Sequence, residues 1–159
     1  ERMLNEYLEF AKYQKNEETE TVNLNNIIKD VIKKYENKQI NVSVEENLEI
    51  NARPNSIKRC LFNLMDNGLS YGKKVEIFAK KTTNDIIIFV DDDGPGIDEK
   101  EYQNVIKPFY RIDKSRGQNK SGVGLGLSIA NDIIRSHGGN ISLNKSPLMG
   151  LRVKISLPL

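Results

Sequence analysis

The sequence has little of the chemistry on which metal centres and hydrolytic sites depend. Among its 159 residues there is one cysteine, Cys60, and one histidine, His137. A lone cysteine excludes an internal disulfide bond and a cysteine-cluster metal site. A lone histidine argues against a multi-histidine metal site and against a Ser-His-Asp hydrolase, in which histidine is the general base.

Charge and hydropathy argue against two further classes. The 24 Lys and Arg residues nearly balance the 22 Asp and Glu residues, which leaves a net charge of +2. This balance disfavours a nucleic-acid binder with a broad basic face. The densest apolar run, residues 86–90, is far shorter than the roughly 20 residues of a membrane-spanning helix. There is no signal peptide, and because the chain begins with Glu1 rather than Met, we interpret it as a fragment of a longer protein.

Hydrophobic periodicity predicts alternating helices and strands. Asn23 is the expected N-cap of the second helix, and Pro54 fits the first turn of the third. The helices are expected at residues 1–16, 24–35, 54–69 and 126–136, with a short one near 99–106. The strands are expected at residues 40–44, 48–51, 74–80, 85–91, 140–143 and 151–157, and a linker at 15–21. We therefore predict a two-layer α+β domain in which three helices cover one face of a mixed sheet.

Two asparagines share one face of the predicted third helix. Asn63 and Asn67 are four residues apart, and asparagine is a poor former of helix interiors. Their amide oxygens are suitable ligands for Mg²⁺, which combines few protein ligands with phosphates and waters. The simpler interpretation is a solvated polar face.

A second motif, Asp91–Ile97, directly follows the most apolar strand. A carboxylate at the end of a strand can accept hydrogen bonds from an amino group, and glycines let a flat ring approach the backbone. The alternative is an ordinary turn rich in Asp, Gly and Pro. A calcium-binding loop is excluded, because Pro95 and Tyr102 stand where ligands are required.

A third motif, Gly122–Gly126, opens the last predicted helix, where backbone amides can bind phosphate. A polar loop precedes it instead of a strand, which disfavours a dinucleotide-binding Rossmann unit. That loop carries Lys114, Arg116 and Lys120, and these fit a basic lid over phosphates. The alternative for this segment is a solvated, disordered loop.

The order of these motifs resembles the catalytic and ATP-binding domain of sensor histidine kinases. The resemblance covers residues 24–159 and rests on four ordered blocks. They are Asn63 and Asn67; Asp92, Gly94 and Gly96; Pro108, Phe109, Tyr110 and Arg111; and Gly122, Gly124 and Gly126. It implies the Bergerat-type ATP fold that is shared with Hsp90, MutL and type II topoisomerases. Residues 1–20 would be the end of a dimerisation hairpin and a linker, and residues 21–159 the ATP-binding domain.

The resemblance also implies a role for each site residue on the nucleobase side. Asp92, and not Asp91 or Asp93, would bind the adenine amino group. The adenine would be bordered by Gly96 and Ile97, and Gly94 would belong to the same turn. Tyr71 would line the nucleotide site.

On the phosphate side, the resemblance implies that Asn67, with Asn63, holds Mg²⁺ on the phosphates of ATP. Phe109 would anchor the lid, and Arg111 and Lys114 would lie near the phosphates. The helix beneath the triphosphate would start at Gly124, Leu125 and Gly126, and Gly122 would bind the nucleotide from the same block.

Two residues depart from the family pattern. Gly68 follows Asn67 where alanine is usual, which would loosen the end of the helix by roughly 1 kcal/mol. Ser70 stands where a basic residue often contacts phosphate. His137 precedes Gly138 at the end of a predicted helix, so we interpret it as structural rather than as the phospho-acceptor.

The function that the resemblance implies is transfer of the γ-phosphoryl group of MgATP to a histidine outside this fragment, and then to a response-regulator aspartate. Within this family, residues 56–59 and 92–97 look most like the EnvZ type. The implied partners are the protein's own dimerisation hairpin, a second copy in the full-length protein and an OmpR-like response regulator, with no nucleic acid. The fragment would be cytoplasmic and the full-length protein would lie in the bacterial inner membrane. The alternatives are an anti-sigma serine kinase and an inactive nucleotide-binding signalling module.

Overall fold

A computed structural model describes residues 17–108, 110 and 126–159, together with residues 5 and 8. The helices are α1 (Leu24–Ile32), α2 (Pro54–Tyr71), α3 (Tyr102–Val105) and α4 (Gly126–Ser136). Short 3-10 helices at Lys33–Tyr35 and Glu99–Glu101 follow α1 and precede α3. The strands are β1 (Glu20–Asn23), β2 (Gln39–Val44), β3 (Glu49–Ala52), β4 (Lys74–Lys81), β5 (Asp85–Asp92), β6 (Asn140–Lys145) and β7 (Leu151–Pro158).

The predicted helix signals are confirmed within these residues. The Asn23 side chain caps α1 by accepting a hydrogen bond from the Asn25 backbone N–H at 2.8 Å. Pro54 occupies the first turn of α2, where its missing N–H costs nothing. The short helix expected near residues 99–106 is present as a 3-10 turn that continues into α3. The helix predicted over residues 1–16 lies outside the described residues, apart from residues 5 and 8.

The main sheet is mixed, as predicted, with the strand order β2-β4-β5-β7-β6. The β2–β4 pair is parallel, and the other three pairs are antiparallel. β3 lies outside this sheet and pairs antiparallel with β1, from Glu20 opposite Ala52 to Asn23 opposite Glu49. The predicted linker over residues 15–21 is therefore wrong at Glu20 and Thr21. Both residues have polar side chains, so their sequence gives no strand signal, although their backbone pairs with β3. The residue of β1 that is buried in the core is the next one, Val22.

Three helices cover one face of the main sheet, as predicted. α2 packs against α1 and α4, and also against β4 and β5. Its buried face includes Ile57, Leu61, Leu64 and Met65, all at most 1% exposed. Because it contacts both neighbouring helices and two central strands, α2 holds its polar residues in a fixed relation to the end of β5. None of the helices in the described part of the chain is long and apolar enough to cross a membrane.

Candidate functional site

The end of β5 places a buried carboxylate at the edge of the core. Asp92 is 5% exposed. One of its oxygens, Oδ1, accepts hydrogen bonds from the backbone N–H of Gly94 at 2.9 Å and of Leu151 at 3.1 Å. Burial raises the pKa of Asp92, and the two backbone hydrogen bonds oppose that rise only in part. The side chain is therefore fixed through one oxygen, which leaves Oδ2 for a ligand.

The two neighbouring aspartates, Asp91 and Asp93, bind groups of the protein. Asp91 forms a two-pronged ion pair with Arg152, with Nε–Oδ1 at 2.8 Å and Nη2–Oδ2 at 2.9 Å. Asp93 is exposed, and its Oδ1 accepts from the backbone N–H groups of Lys73 and Lys74 at 2.7 and 3.0 Å. These bonds lower the pKa of Asp93. Among these three aspartates, only Asp92 is both buried and left with an oxygen that accepts no hydrogen bond from the described residues.

Glycines allow the chain to pass close to Asp92. A Cβ atom on Gly150 would lie 2.1 Å from Asp92 Oδ1, and a Cβ on Gly94 would lie 2.8 Å from the Tyr71 carbonyl oxygen. Gly96 has φ of +77°, a conformation that glycine adopts without strain. Gly150 was missed in the sequence, because it precedes β7, far along the chain from Asp92. Its only sequence signal is a glycine immediately before a predicted strand.

α2 brings the residue that follows Asn67 next to this carboxylate. A Cβ on Gly68, the residue after Asn67, would lie 3.5 Å from the Asp92 Cβ and 3.0 Å from the Val75 side chain. The family-atypical glycine thus sits where helix and sheet approach closely. One turn earlier, Asn63 Nδ2 is buried and has no hydrogen-bond partner among the described residues. An unpaired buried amide is costly, so this one indicates an absent acceptor.

The start of α4 completes the part of the site that is described. A Cβ on Gly126 would lie 4.0 Å from the Asn63 carbonyl oxygen, so the N-terminus of α4 adjoins α2 at this point. The other predicted phosphate-side residues lie outside the described residues; they are Phe109, Arg111, Lys114, Gly122, Gly124 and Leu125. The structure thus brings together the asparagine block, the Asp-Gly block and the last residue of the glycine block.

Two predicted nucleobase-side residues flank the turn after β5. Tyr71 ends α2 with a side chain that is 49% exposed, and its carbonyl group lies against Gly94. Ile97 is partly buried and packs against the hydrophobic core. Nearby, the Tyr110 hydroxyl donates to the Glu101 carboxylate, with oxygen separations of 2.7 and 3.0 Å. This bond joins Tyr110, one of the two described residues of the Pro-Phe block, to the 3-10 turn that precedes α3.

His137 follows the end of α4 and has both ring nitrogens engaged. Its Nε2 accepts from the backbone N–H of Arg53 at 3.1 Å, which assigns the ring proton to Nδ1. Nδ1 then donates to the Ile133 carbonyl oxygen at 2.7 Å. The ring is therefore held neutral between α4 and the backbone of Arg53, which precedes α2, and these contacts support the interpretation of His137 as structural.

The His137 contacts predict an acid-sensitive contribution to stability. Burial is the main cause that lowers the pKa of His137 below its usual 6.5, Arg53 also lowers it, and Glu17 and the Ile133 hydrogen bond oppose them. The unfolded chain thus binds the proton first, and stability falls as the pH drops through 6.5 toward the lower folded pKa. In His137→Gln, the free energy of unfolding measured in urea should depend less on pH between about 7.5 and 5.5. Asp92 and Asp132 titrate in both chains, so equal slopes in the two proteins would contradict this assignment.

Comparison with known proteins identifies the family. The model of the histidine kinase-, DNA gyrase B-, and HSP90-like ATPase family matches residues 52–159, which is more than half of the chain. The chain belongs to this family.

Individual relatives narrow the class. The chain is 35% identical to the sensor histidine kinase GtrS of Pseudomonas aeruginosa over 89% of its length, and 33% identical to the sensor histidine kinase CpxA of Escherichia coli over 99%. It covers only 29% and 36% of these two relatives. The solved catalytic domain of the histidine kinase ThkA, in a nucleotide-free form, superposes with a TM-score of 0.77 at 28% identity, covering 89% of this chain and 95% of that domain. Together with the fold, these matches define an ATP-binding catalytic domain of the sensor histidine kinase type.

Proposed function

We propose that this chain holds MgATP while its γ-phosphoryl group passes to a histidine other than His137, and from there to a response-regulator aspartate. One juxtaposition supports this most strongly. The buried Asp92 carboxylate, fixed through one oxygen, lies beside the α2 segment that carries Asn67 and the unpartnered amide of Asn63. A carboxylate acceptor next to amide groups fits a ligand with an amino group at one end and phosphates at the other.

In this proposal, Asp92 selects the adenine ring. The adenine amino group donates to Asp92 Oδ2, while Oδ1 keeps its bonds to Gly94 and Leu151. The close turns at Gly94 and Gly96 let the flat base lie against the backbone, with Ile97 at its border. Because Asp92 is buried, its hydrogen bond to the base forms in a medium of low dielectric constant, where it is stronger than in water.

The asparagines hold the metal and the phosphates. The described residues contain no group of three or more His, Cys, Asp or Glu side chains that could hold a metal ion. The donors at this site are instead the amides of Asn63 and Asn67, which fit Mg²⁺ carried in on ATP with its own phosphate and water ligands. The unpartnered Asn63 Nδ2 fits a phosphate oxygen or a metal-bound water as its missing acceptor. When bound, Mg²⁺ neutralises charge on the phosphates; the protein's task is to position them.

Asn67→Ala should remove the Mg²⁺-dependent part of ATP affinity without changing the fold. Calorimetric titration with ATP, with and without Mg²⁺, measures this part directly, and circular dichroism reports the fold. Asn26→Ala is the matched control, because Asn26 is an exposed asparagine on α1. If Mg²⁺ still strengthens ATP binding to Asn67→Ala as much as to the wild type, the metal assignment is wrong. If the wild-type chain also fails to bind ATP, the chain is an inactive module.

The partners follow from the class. We propose that the phosphoryl acceptor is on the dimerisation hairpin of the same protein and that the full-length protein is a homodimer at the bacterial inner membrane. The downstream partner is a response regulator, for which the Ser56–Arg59 and Asp92–Ile97 segments favour an OmpR-like type. Residues 1–20 would then be the end of the hairpin helix and the linker to the ATP-binding domain, which spans residues 21–159.

A further inference from the structure

The first turn of α2 is capped from outside the helix. Arg53, at the N-cap position, makes no side-chain capping bond, and Pro54 has no backbone N–H. The next two N–H groups, which have no partner within a helix, both donate to the Glu17 carboxylate. Asn55 N–H reaches Oε2 at 2.7 Å, while Ser56 N–H and the Ser56 hydroxyl both reach Oε1 at 3.0 Å. One side chain from the segment before β1 thus satisfies the exposed donors of this turn.

The same corner of the fold also fixes the end of α4. The backbone N–H of Arg53 donates to His137 Nε2, and the Arg53 guanidinium donates to the Ser136 hydroxyl. The negative charge of Glu17 raises the pKa of His137, in opposition to the larger effect of burial. The entering segment, the start of α2 and the end of α4 are therefore held together at one place, which we call the Glu17 corner (Glu17, Arg53, Asn55, Ser56 and His137).

Both helices lead from the Glu17 corner to the nucleotide site. α2 runs from Ser56 to Asn67 over about 16 Å, and α4 runs back from its end to Gly126 over a similar length. At the far end, Asn63 adjoins Gly126 and the residue after Asn67 adjoins Asp92. A rigid helix anchored at one end transmits a change in its direction to the other end.

We propose that Glu17 is a positioning residue: its carboxylate latches the chain that enters the domain onto α2, and the latch is coupled to MgATP binding at the other end of that helix. The coupling rests on the proposed function, whereas the latch does not. Phosphate binding fixes α2 against α4 at one end, and at the other end Glu17 fixes the first turn of α2, whose preceding residue Arg53 contacts His137 and Ser136 at the end of α4. Each contact therefore favours the same helix arrangement.

Glu17→Ala tests the latch, and Glu18→Ala is its control, because Glu18 is the exposed neighbour with the same charge. In the whole chain, Glu17→Ala should speed amide hydrogen exchange at Asn55 and Ser56 at least about fivefold. Ser56→Ala removes one of the three bonds and should produce a smaller change at Asn55. Loss of a helix cap is too small a cost to unfold the domain, and circular dichroism checks this. Unchanged exchange at both amides in Glu17→Ala would show that there is no latch.

The coupling is tested by its reciprocity. Calorimetry should show MgATP affinity falling about fivefold in Glu17→Ala and remaining unchanged in Glu18→Ala. Saturating MgATP should slow exchange at Asn55 and Ser56 in the wild type by a similar factor, an effect that a merely structural cap would not show. If exchange responds to Glu17→Ala but not to MgATP, Glu17 is only a cap and the coupling is overturned. A wild-type chain that binds no MgATP would overturn the proposed function and the coupling, while the exchange data would still decide the latch.

Discussion

Asp92→Asn should weaken ATP binding roughly tenfold to a hundredfold, since a hydrogen bond to a charged group contributes about 1.5–3 kcal/mol. The structure adds a reason beyond the lost charge. The backbone N–H groups of Gly94 and Leu151 require an acceptor at the Oδ1 position. The asparagine oxygen would therefore keep the Oδ1 position, and its NH2 group would take the Oδ2 position. There it would face the adenine amino group, so that two hydrogen-bond donors would meet and no hydrogen bond would form. Calorimetric titration with MgATP measures the loss.

Asp93→Asn is the matched control for this result. Its side chain can still accept from Lys73 and Lys74 through oxygen, and it faces solvent. Its ATP affinity should remain that of the wild type. An equal loss in the two variants, or a larger one for Asp93→Asn, would show that the carboxylate has been misassigned.

The same Asp92→Asn change should stabilise the nucleotide-free domain at neutral pH. Burial raises the folded-state pKa of Asp92, so the folded protein loses stability as the pH rises above the usual 3.8 and the carboxyl group ionises. Asparagine avoids this loss, and the gain should shrink as the pH falls toward 3.8. Weaker ATP binding in a more stable protein would distinguish a lost contact from a damaged fold.

A second large effect is expected in phosphoryl transfer. Incubated alone with γ-labelled ATP, this chain should acquire no phosphohistidine, whereas a separately supplied dimerisation hairpin from the same protein should become labelled. In-line transfer requires the nucleophile at the γ-phosphate. His137 lies beyond the C-terminal end of α4, about 16 Å from its first residue, Gly126. Both of its ring nitrogens are also engaged, by Arg53 and Ile133.

The control for this experiment uses the chemical stability of the label. Phosphohistidine is labile to acid and stable to alkali. Acid-labile label on this chain alone that disappears in His137→Ala would overturn the structural interpretation of His137. An unlabelled hairpin, after MgATP binding has been established, would favour the inactive signalling module over a competent kinase domain.

Much of the fold could be predicted because its signals are local. The apolar stripe of α1, its Asn23 cap, Pro54 at the start of α2 and Gly138 after α4 each act within a few residues. The separation of Asp91, Asp92 and Asp93 into different roles came from their spacing to the glycines, within the family resemblance. In the structure the three carboxylates have different contacts: Asp91 with Arg152, Asp92 with the Gly94 and Leu151 amides, and Asp93 with the Lys73 and Lys74 amides. The binding of adenine by Asp92 stays a prediction.

What the sequence did not reveal depends on contacts between distant segments. β1 is polar except for Val22, and it is a strand only because β3 lies beside it. The need for glycine at position 150 cannot be recognised before β7 is known to lie next to Asp92. At that position a Cβ atom would collide with the Asp92 carboxylate. Glu17 is one acidic residue among several in a polar stretch. Its capping role depends on the first turn of α2, where its partner Asn55 is 38 residues further along the chain. Local patterns cannot encode such pairings.

The most direct test of the site is a crystal structure of this domain with Mg²⁺ and a non-hydrolysable ATP analogue. We expect the adenine amino group within hydrogen-bond distance of Asp92 Oδ2, the Asn63 amide paired with a phosphate oxygen or a metal-bound water, and the metal on the Asn67 side-chain oxygen. An adenine amino group bound to Asp93, or phosphates located away from Asn63 and Asn67, would contradict the site proposed for this chain.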